Sequence, residues 1–463
     1  MSPVRIVDVS YVAVPADAAL PPDPIKLNAM EAQWVARPLL QHLLFFDGDQ
    51  LPPFDTALHS LKSSLAATLA AYGPLAGKLV HLADTGDVAI SWSASDGVRF
   101  VVAESDADAR RLAGGDEEEH DVRTSERLVP EVEMSATRLE EVLGGLAVGV
   151  TVHHGVADGR SLWIFVEAWA AACRGDTRTA PAAPPVFDRS RVSLPGGEEL
   201  ARSVLWKYAP SLPVVRINLT RSTKKFWQKQ MNLIYTTLSP RLRNVHPVLF
   251  TLDAGHIERL KQSIVRLSEA RGAPPLLRAP STFVAAIALI WTCSVRCRPL
   301  IFPSDDDEDD VFLFFFADVR SRLDPPAGAD YFGACLAGCL ARLPARELIH
   351  SEHALAAAAS AVQGAIREVA EDPVGGWDIM KIVGGIPRDR FFNVSGSSSF
   401  RAYEVADFGW GRPRRTEPVR MNKDGQVALV RARHGDGVQV TVALLERAHM
   451  DAFKSEFLDR IAL

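Results

Sequence analysis

One stretch limits the folds open to this 463-residue chain more than any other. From Arg174 to Leu200 it reads RGDTRTAPAAPPVFDRSRVSLPGGEEL, crowded with proline, glycine and charge. Proline fixes φ and removes a backbone donor, so this stretch reads as a crossover or linker that no continuous element traverses. The apolar patterns on either side fit two lobes joined by this stretch, and both sides carry the same mixture. Upstream, PLLQHLLFF (38–46), FVVAES (100–105) and GLAVGVTV (145–152) have the density of buried strands. FDTALHSLKSSLAATLAAY (54–72) and GRSLWIFVEAWAAAC (159–173) repeat apolar residues at helical spacing. Asp55 is the candidate cap of the first of these helices, and YGPLAG (72–77) ends it with turn residues. Downstream, PVLFTLDAGHIERLKQSIVRLSEARG (247–272) predicts a strand, a turn and an amphipathic helix. STFVAAIALIWTCSV (281–295) and EHALAAAASAVQGAIREVAE (352–371) predict helices, and DVFLFFFADV (310–319) a strand. QVALVRARHGDGVQVTVAL (426–444) predicts a hairpin turning at Gly-Asp-Gly, with a last helix after it. The expected fold class is α/β, with two similar-sized mixed-sheet lobes: 1–178, a crossover linker 179–220, and 221–463.

Charge and cysteine usage narrow the function. A formal net charge of -6 argues against nucleic acid as a partner, since counterion release needs a basic face. The acidic runs 116–119 and 305–310 read as solvated loops. The N-terminus MSPVRIVDVSYVAVPAD alternates like a strand and lacks the unbroken apolar core of a signal peptide. No run of about 18 uncharged apolar residues exists, so no membrane span is expected and the protein reads as cytoplasmic. Cys173, Cys293, Cys297, Cys335 and Cys339 are odd in number, which suggests free thiols. The spacings 293/297 and 335/339 could suit a metal, but their apolar neighbours point to buried structural cysteines, and no metal site is expected.

The chemistry concentrates in GVTVHHGVADGRS (149–161). A β-branched run stops at His153 and His154, and Asp158 follows after three small residues. Side chains at a strand end project from a sheet edge, where a cleft can form. An imidazole there titrates near neutrality and suits a general base for a hydroxyl or amine nucleophile. Gly155, Val156 and Ala157 would leave room for substrate beside it. Asp158 could orient the ring or tie the loop to an arginine.

HHGVADG together with DFGWG (Asp407–Gly411) resembles the plant BAHD acyl-CoA-dependent acyltransferases, which pair His-x-x-x-Asp with a distant Asp-Phe-Gly-Trp-Gly. YGPLAGKL (72–79), APSTFVAA (279–286), ADVRSRLDPP (317–326) and YFGAC (331–335) extend the resemblance over essentially the whole chain. It implies a chloramphenicol-acetyltransferase-like pair of lobes with a channel between them and His154 inside it. The acceptor itself attacks the thioester, so the co-substrate is acyl-CoA and no permanently bound cofactor is needed. Asp158 would turn from the channel and pair with Arg320 or Arg322. Asp407 goes with the catalytic motifs, its expected task being to pin a loop. Trp410 would shape the CoA side or donate its indole N–H to the oxyanion. Ser281 and Thr282 are the candidates for polar contacts to CoA, with helix capping as the alternative. A monomer is expected.

YFGAC and GSSSFRAYEVADFGWGRP (396–413) resemble the subgroup that malonylates flavonoid, anthocyanin and other phenolic glucosides. Malonyl-CoA is accordingly the expected donor and a phenolic glucoside the expected acceptor. Two positions depart from that subgroup: Ala334 stands where it has asparagine, and Ser399 where it has a basic residue. Arg401, or Arg160, would then have to meet a malonyl carboxylate. Transfer of a hydroxycinnamoyl group to oxygen or nitrogen is the alternative, and a non-catalytic binding protein on the same fold a second. Trimeric transacetylases and peptide-synthetase condensation domains share His-His-x-x-x-Asp-Gly, but DFGWG speaks against them.

Overall fold

The computed structural model describes residues 4–462 except 19, 37–38, 49, 94, 109–111, 114–127, 130–134, 144, 177–183, 210–244, 271–277, 299–308, 420 and 422. The acidic run 116–119 and most of 305–310 lie outside the described residues. In chain order the strands are β1 (Arg5–Ala13), β2 (Ile25–Lys26), β3 (Leu40–Asp47), β4 (Lys78–His81) and β5 (Val88–Ser91). There follow β6 (Gly97–Asp108), β7 (Ser135–Leu143), β8 (Gly145–Val152), β9 (His246–Leu252) and β10 (Asp310–Asp318). The last are β11 (Leu336–Pro344), β12 (Phe391–Gly396), β13 (Arg415–Pro418), β14 (Gln426–Arg431) and β15 (Val438–Leu444).

They form two six-stranded mixed sheets, ordered β1-β6-β7-β8-β3-β13 and β11-β10-β12-β14-β15-β9, and a small sheet β2-β5-β4. Each large sheet contains parallel and antiparallel pairs. One strand crosses between the halves of the sequence: β13, just after DFGWG, pairs antiparallel with β3 and completes the first sheet. The expected α/β fold with two mixed-sheet lobes is what the chain adopts.

The helices cover the sheets as their apolar spacing predicts. Phe54–Tyr72 packs on Gly159–Cys173, and the fully buried Trp169 donates its indole N–H to Leu61 O and Ser64 Oγ, at 3.2 and 3.1 Å. Thr282–Arg296 is buried from Val284 to Val295 and packs against Ala354–Glu371. Asp55 is not the cap of the first helix. Pro53 takes that position and Asp55 lies in the first turn, where a negative charge favours the helix dipole. The described part of the stretch read as a linker, 184–209, contains the helix Gly197–Tyr208, which buries Ala201, Val204 and Leu205. Val186 lies beside the second lobe, its N–H on Asp330 O and its carbonyl on Phe332 N, both at 2.9 Å. Among the described residues no helix is long and apolar enough to cross a membrane. All five cysteines are free, and burial pushes the thiols of Cys297, Cys335 and Cys339 up to about 12, where they are inert.

Candidate active site

β8 is buried along nearly its whole length and ends where the His153 carbonyl turns back to accept Val156 N–H at 2.8 Å and Ala157 N–H at 3.2 Å. This turn separates the two histidines. His153 Nδ1 accepts Gly155 N–H at 3.0 Å, so its proton sits on Nε2, which faces Val35 O at 3.3 Å. With both nitrogens occupied, His153 is a structural strut. Gly155, Val156 and Ala157 are buried in the turn and do not widen the cavity, contrary to the expectation from their size. A Cβ at Gly155 would lie 3.2 Å from His153 Nδ1 and 3.3 Å from Glu31 O, so its smallness serves the turn.

His154 points the other way. It lines a cavity of about 680 Å³ bounded by both large sheets. Leu40 and His42 of β3, Trp163 of the following helix, Phe315 and Asp318 of β10, and Gln439 of β15 share that wall. The ring stacks on Trp34, with centroids 3.7 Å apart and planes at 6°. Burial holds its pKa down at about 4, against smaller opposing effects of its own carbonyl and of Asp158. The imidazole is therefore neutral at neutral pH. Nδ1 is the ring nitrogen able to reach the residue's own carbonyl and has no partner on any other residue. A proton resting there leaves the Nε2 lone pair free as a base.

Asp158 has another task. It caps the helix Gly159–Cys173, accepting Ser161 N–H at 2.9 Å, and its other oxygen accepts Cys335 N–H at 3.2 Å. That second oxygen also lies 2.8 Å from Arg320 Nη1, with both side chains buried. Burial alone would raise the Asp158 pKa, but Arg320 and the backbone donors outweigh it and the net shift is downward. Arg320 further donates to Tyr331 O at 3.2 Å, Ser161 Oγ at 3.1 Å and Gly333 O at 2.8 Å. Of the two arginines in DVRSR, Arg320 is the partner, whereas Arg322 lines the cavity with its buried Nη1 unpaired.

The other expected residues lie at varying distance from this centre. Asp407 does not line the cavity: its Oδ1 accepts Gly409 N–H at 2.9 Å and Gly411 N–H at 3.1 Å, which shapes the DFGWG turn, and Arg174 donates to its carbonyl. Trp410 packs on Phe46 and Phe408, at 5.6 and 5.7 Å between centroids, and is also outside the lining. Ser281 caps the helix Thr282–Arg296 through Val284 N–H at 3.2 Å, and Thr282 opens that helix. Phe283 beside them reaches the cavity. Arg401 does line it, as do Ser399 and Arg160. The loop between them is not extended, because Phe400 N–H bonds to Ser397 O at 3.0 Å and closes a turn. Arg401 is ion-paired with Glu404, and Arg160 with Asp318 at 3.0 Å.

A model of the Transferase family matches residues 9–459. The chain belongs to that family, the BAHD acyltransferases. It is an acyl-CoA-dependent acyltransferase. Phenolic glucoside malonyltransferase 2 of Arabidopsis thaliana is 30% identical over 419 residues, covering 86% of this chain and 85% of that one. Agmatine coumaroyltransferase of the same plant is 27% identical and covers 98% of each chain. The crystal structure of F. sporotrichioides TRI101, complexed with coenzyme A and T-2, superposes with a TM-score of 0.65 at 15% identity, over 94% of this chain and 98% of that one.

Two side chains of this BAHD acyltransferase escape a reading of the motifs. Trp34 is one; nothing in EAQWVARP marks it as the neighbour of His154. The other is Glu31, fully buried, 3.1 Å from Arg189 Nη2, and accepting Tyr331 O–H at 3.3 Å and Ala334 N–H at 3.2 Å. Its burial raises its pKa against the pull of Arg189. Asn28 and Glu31 form a capping box, a four-residue signal that the sequence does carry. Gly333 must be glycine because a Cβ would come within 2.5 Å of Glu31 Oε1 and 2.7 Å of Tyr331 Oη.

Proposed function

We propose that this acyltransferase moves malonyl from malonyl-CoA to a sugar hydroxyl of a phenolic glucoside, flavonoid and anthocyanin glucosides included, with His154 as general base. The observation that carries the reading is a neutral imidazole, with one nitrogen free, on the wall of a cavity bounded by both sheets. The acceptor O–H lies against Nε2, which takes the proton as oxygen attacks the thioester carbonyl. The tetrahedral oxyanion collapses, the C–S bond breaks, and the imidazolium returns its proton to the CoA thiolate. A base so placed contributes about 100- to 10,000-fold, and holding both substrates in one cavity supplies the proximity.

Three cations on the cavity wall, Arg160, Arg322 and Arg401, support an acidic acyl group. His42 Nδ1 and Thr416 Oγ1, buried polar atoms without hydrogen bonds on cavity residues of β3 and β13, support a polyhydroxylated acceptor. The malonyltransferase relative agrees with both. In this reading the protein acts as a cytoplasmic monomer without a resident cofactor. A panel of malonyl-, acetyl- and coumaroyl-CoA against phenolic glucosides, their aglycones and amines, read by product mass, tests it. A malonylated glucoside is the expected product; malonyl-CoA left intact while coumaroyl-CoA is consumed overturns the donor. That second reading, aromatic acyl transfer, has the aromatic wall of Trp163, Phe283, Phe315, Phe316 and Phe400 in its favour, and the coumaroyltransferase relative.

A further inference from the structure

A histidine base must present one nitrogen to the substrate in a fixed direction, and in hydrolytic triads a carboxylate on the other nitrogen fixes the ring. That device is missing around His154. The carboxylate of its motif, Asp158, is engaged with Arg320, Ser161 N–H and Cys335 N–H. His154 Nδ1 has no partner on another residue. What does touch the ring is an indole face, 3.7 Å away and 6° from parallel.

We propose that Trp34 is the positioning residue of the base, holding the His154 ring by face-to-face stacking; this rests on His154 being the base. A stacked contact fixes the ring plane without using the ring edge, where both nitrogens lie, so Nε2 stays free for the acceptor. The indole is itself firmly held. Trp34 is only 9% exposed and packs against Phe316 of β10, 5.6 Å between centroids. The Trp34 backbone N–H donates to Glu31 O at 3.0 Å, and Glu31 is anchored by Arg189. On one side Gln33 Nε2 donates to Trp377 O at 2.7 Å, and on the other Val35 O faces His153 Nε2 at 3.3 Å. The contact also strengthens as the reaction proceeds. A neutral imidazole gains little from an indole face, whereas an imidazolium gains a cation–π attraction, largest on tryptophan and away from water. Trp34 therefore favours the transition state over the ground state.

The test compares Trp34→Leu, Trp34→Met and Trp34→Phe in the wild-type and His154→Ala backgrounds. Leu and Met should each lower kcat about 10- to 30-fold, the scale of a desolvated cation–π contact. KM for acyl-CoA and acceptor should stay within about 3-fold, and Phe, which keeps an aromatic face, should restore most of kcat. In the His154→Ala background the same changes should cost nothing more, because they act through that ring. Met fills the volume without a π face, so it carries the comparison if the Leu variant melts early. Normal kcat in the folded Leu or Met variant overturns the proposal, as does an equal further loss in the His154→Ala background. Normal turnover by His154→Ala itself is a different failure and removes the general-base reading.

Discussion

Asp158 Oδ2 and Arg320 Nη1 lie 2.8 Å apart, in a space where neither side chain exposes more than 2% of its surface. The pair ties the motif that follows β8 to the segment that follows β10, so it joins the two lobes beside the cavity. Removing one charge from a buried pair leaves the other uncompensated, typically at a cost of about 3–5 kcal/mol. Asp158→Asn keeps the shape and an acceptor for Ser161 N–H, and Asp318 remains 3.2 Å from Arg320, so the low end of that range is expected. The variant should melt earlier and lose activity. A carboxylate that only oriented the imidazole would give lost activity at an unchanged melting temperature, and comparing the two melting curves separates these outcomes.

The neighbouring histidines should respond oppositely to substitution. His154→Ala should lower kcat at least ~100-fold, the scale for a positioned base, with circular dichroism unchanged. His153→Asn keeps an acceptor for Gly155 N–H and gives up only the 3.3 Å contact to Val35 O, so it should retain most of the activity. Near-normal turnover by a folded His154→Ala would reject the assignment.

Acid should act on stability through the same rings. His42, His153 and His154 are each pushed down to about 4 by burial, whereas an unfolded imidazole titrates near 6.5. Between those values the unfolded chain binds more protons than the native one, so stability is fully present above about 6.5 and is lost as pH falls toward about 4. The melting temperature should fall steadily from pH 7 to pH 5, and less so in His42→Phe. Where the fold persists, kcat/KM should show no acid limb at 6.5. A limb there would mean that the His154 ring is solvated in the working enzyme.

The sequence exposes some of this and hides the rest for definite reasons. The Pro- and Gly-rich break after Arg174 announces two lobes because it interrupts every apolar period, and His154 stands out because a buried strand ends on it. DVRSR offers two arginines of identical chemistry two residues apart, and only packing distinguishes the paired Arg320 from Arg322. RTEP is too short and polar for a period-2 signal, and it becomes a strand through the partner that β3 provides. Trp34 meets His154 across a long sequence separation, a contact set by tertiary packing alone.

A malonyl group carries a carboxylate into the cavity, and burying it unpaired is costly, so a cation must receive it. Ser399 cannot. Arg401 lines the cavity but is 57% exposed and already paired with Glu404, and Arg160 is paired with Asp318. Arg322 has a buried, unpaired Nη1 on the same wall. Arg401→Ala should raise KM for malonyl-CoA about 10-fold or more, the usual strength of a charge-assisted hydrogen bond, and leave acetyl-CoA nearly unchanged. Because Glu404 competes for that guanidinium, Glu404→Gln should lower the same KM. Equal effects on both donors would mean that Arg401 packs against the loop or contacts CoA itself. A malonyl-specific loss in Arg322→Lys, with none in Arg401→Ala, would move the carboxylate from the loop after β12 to the segment after β10.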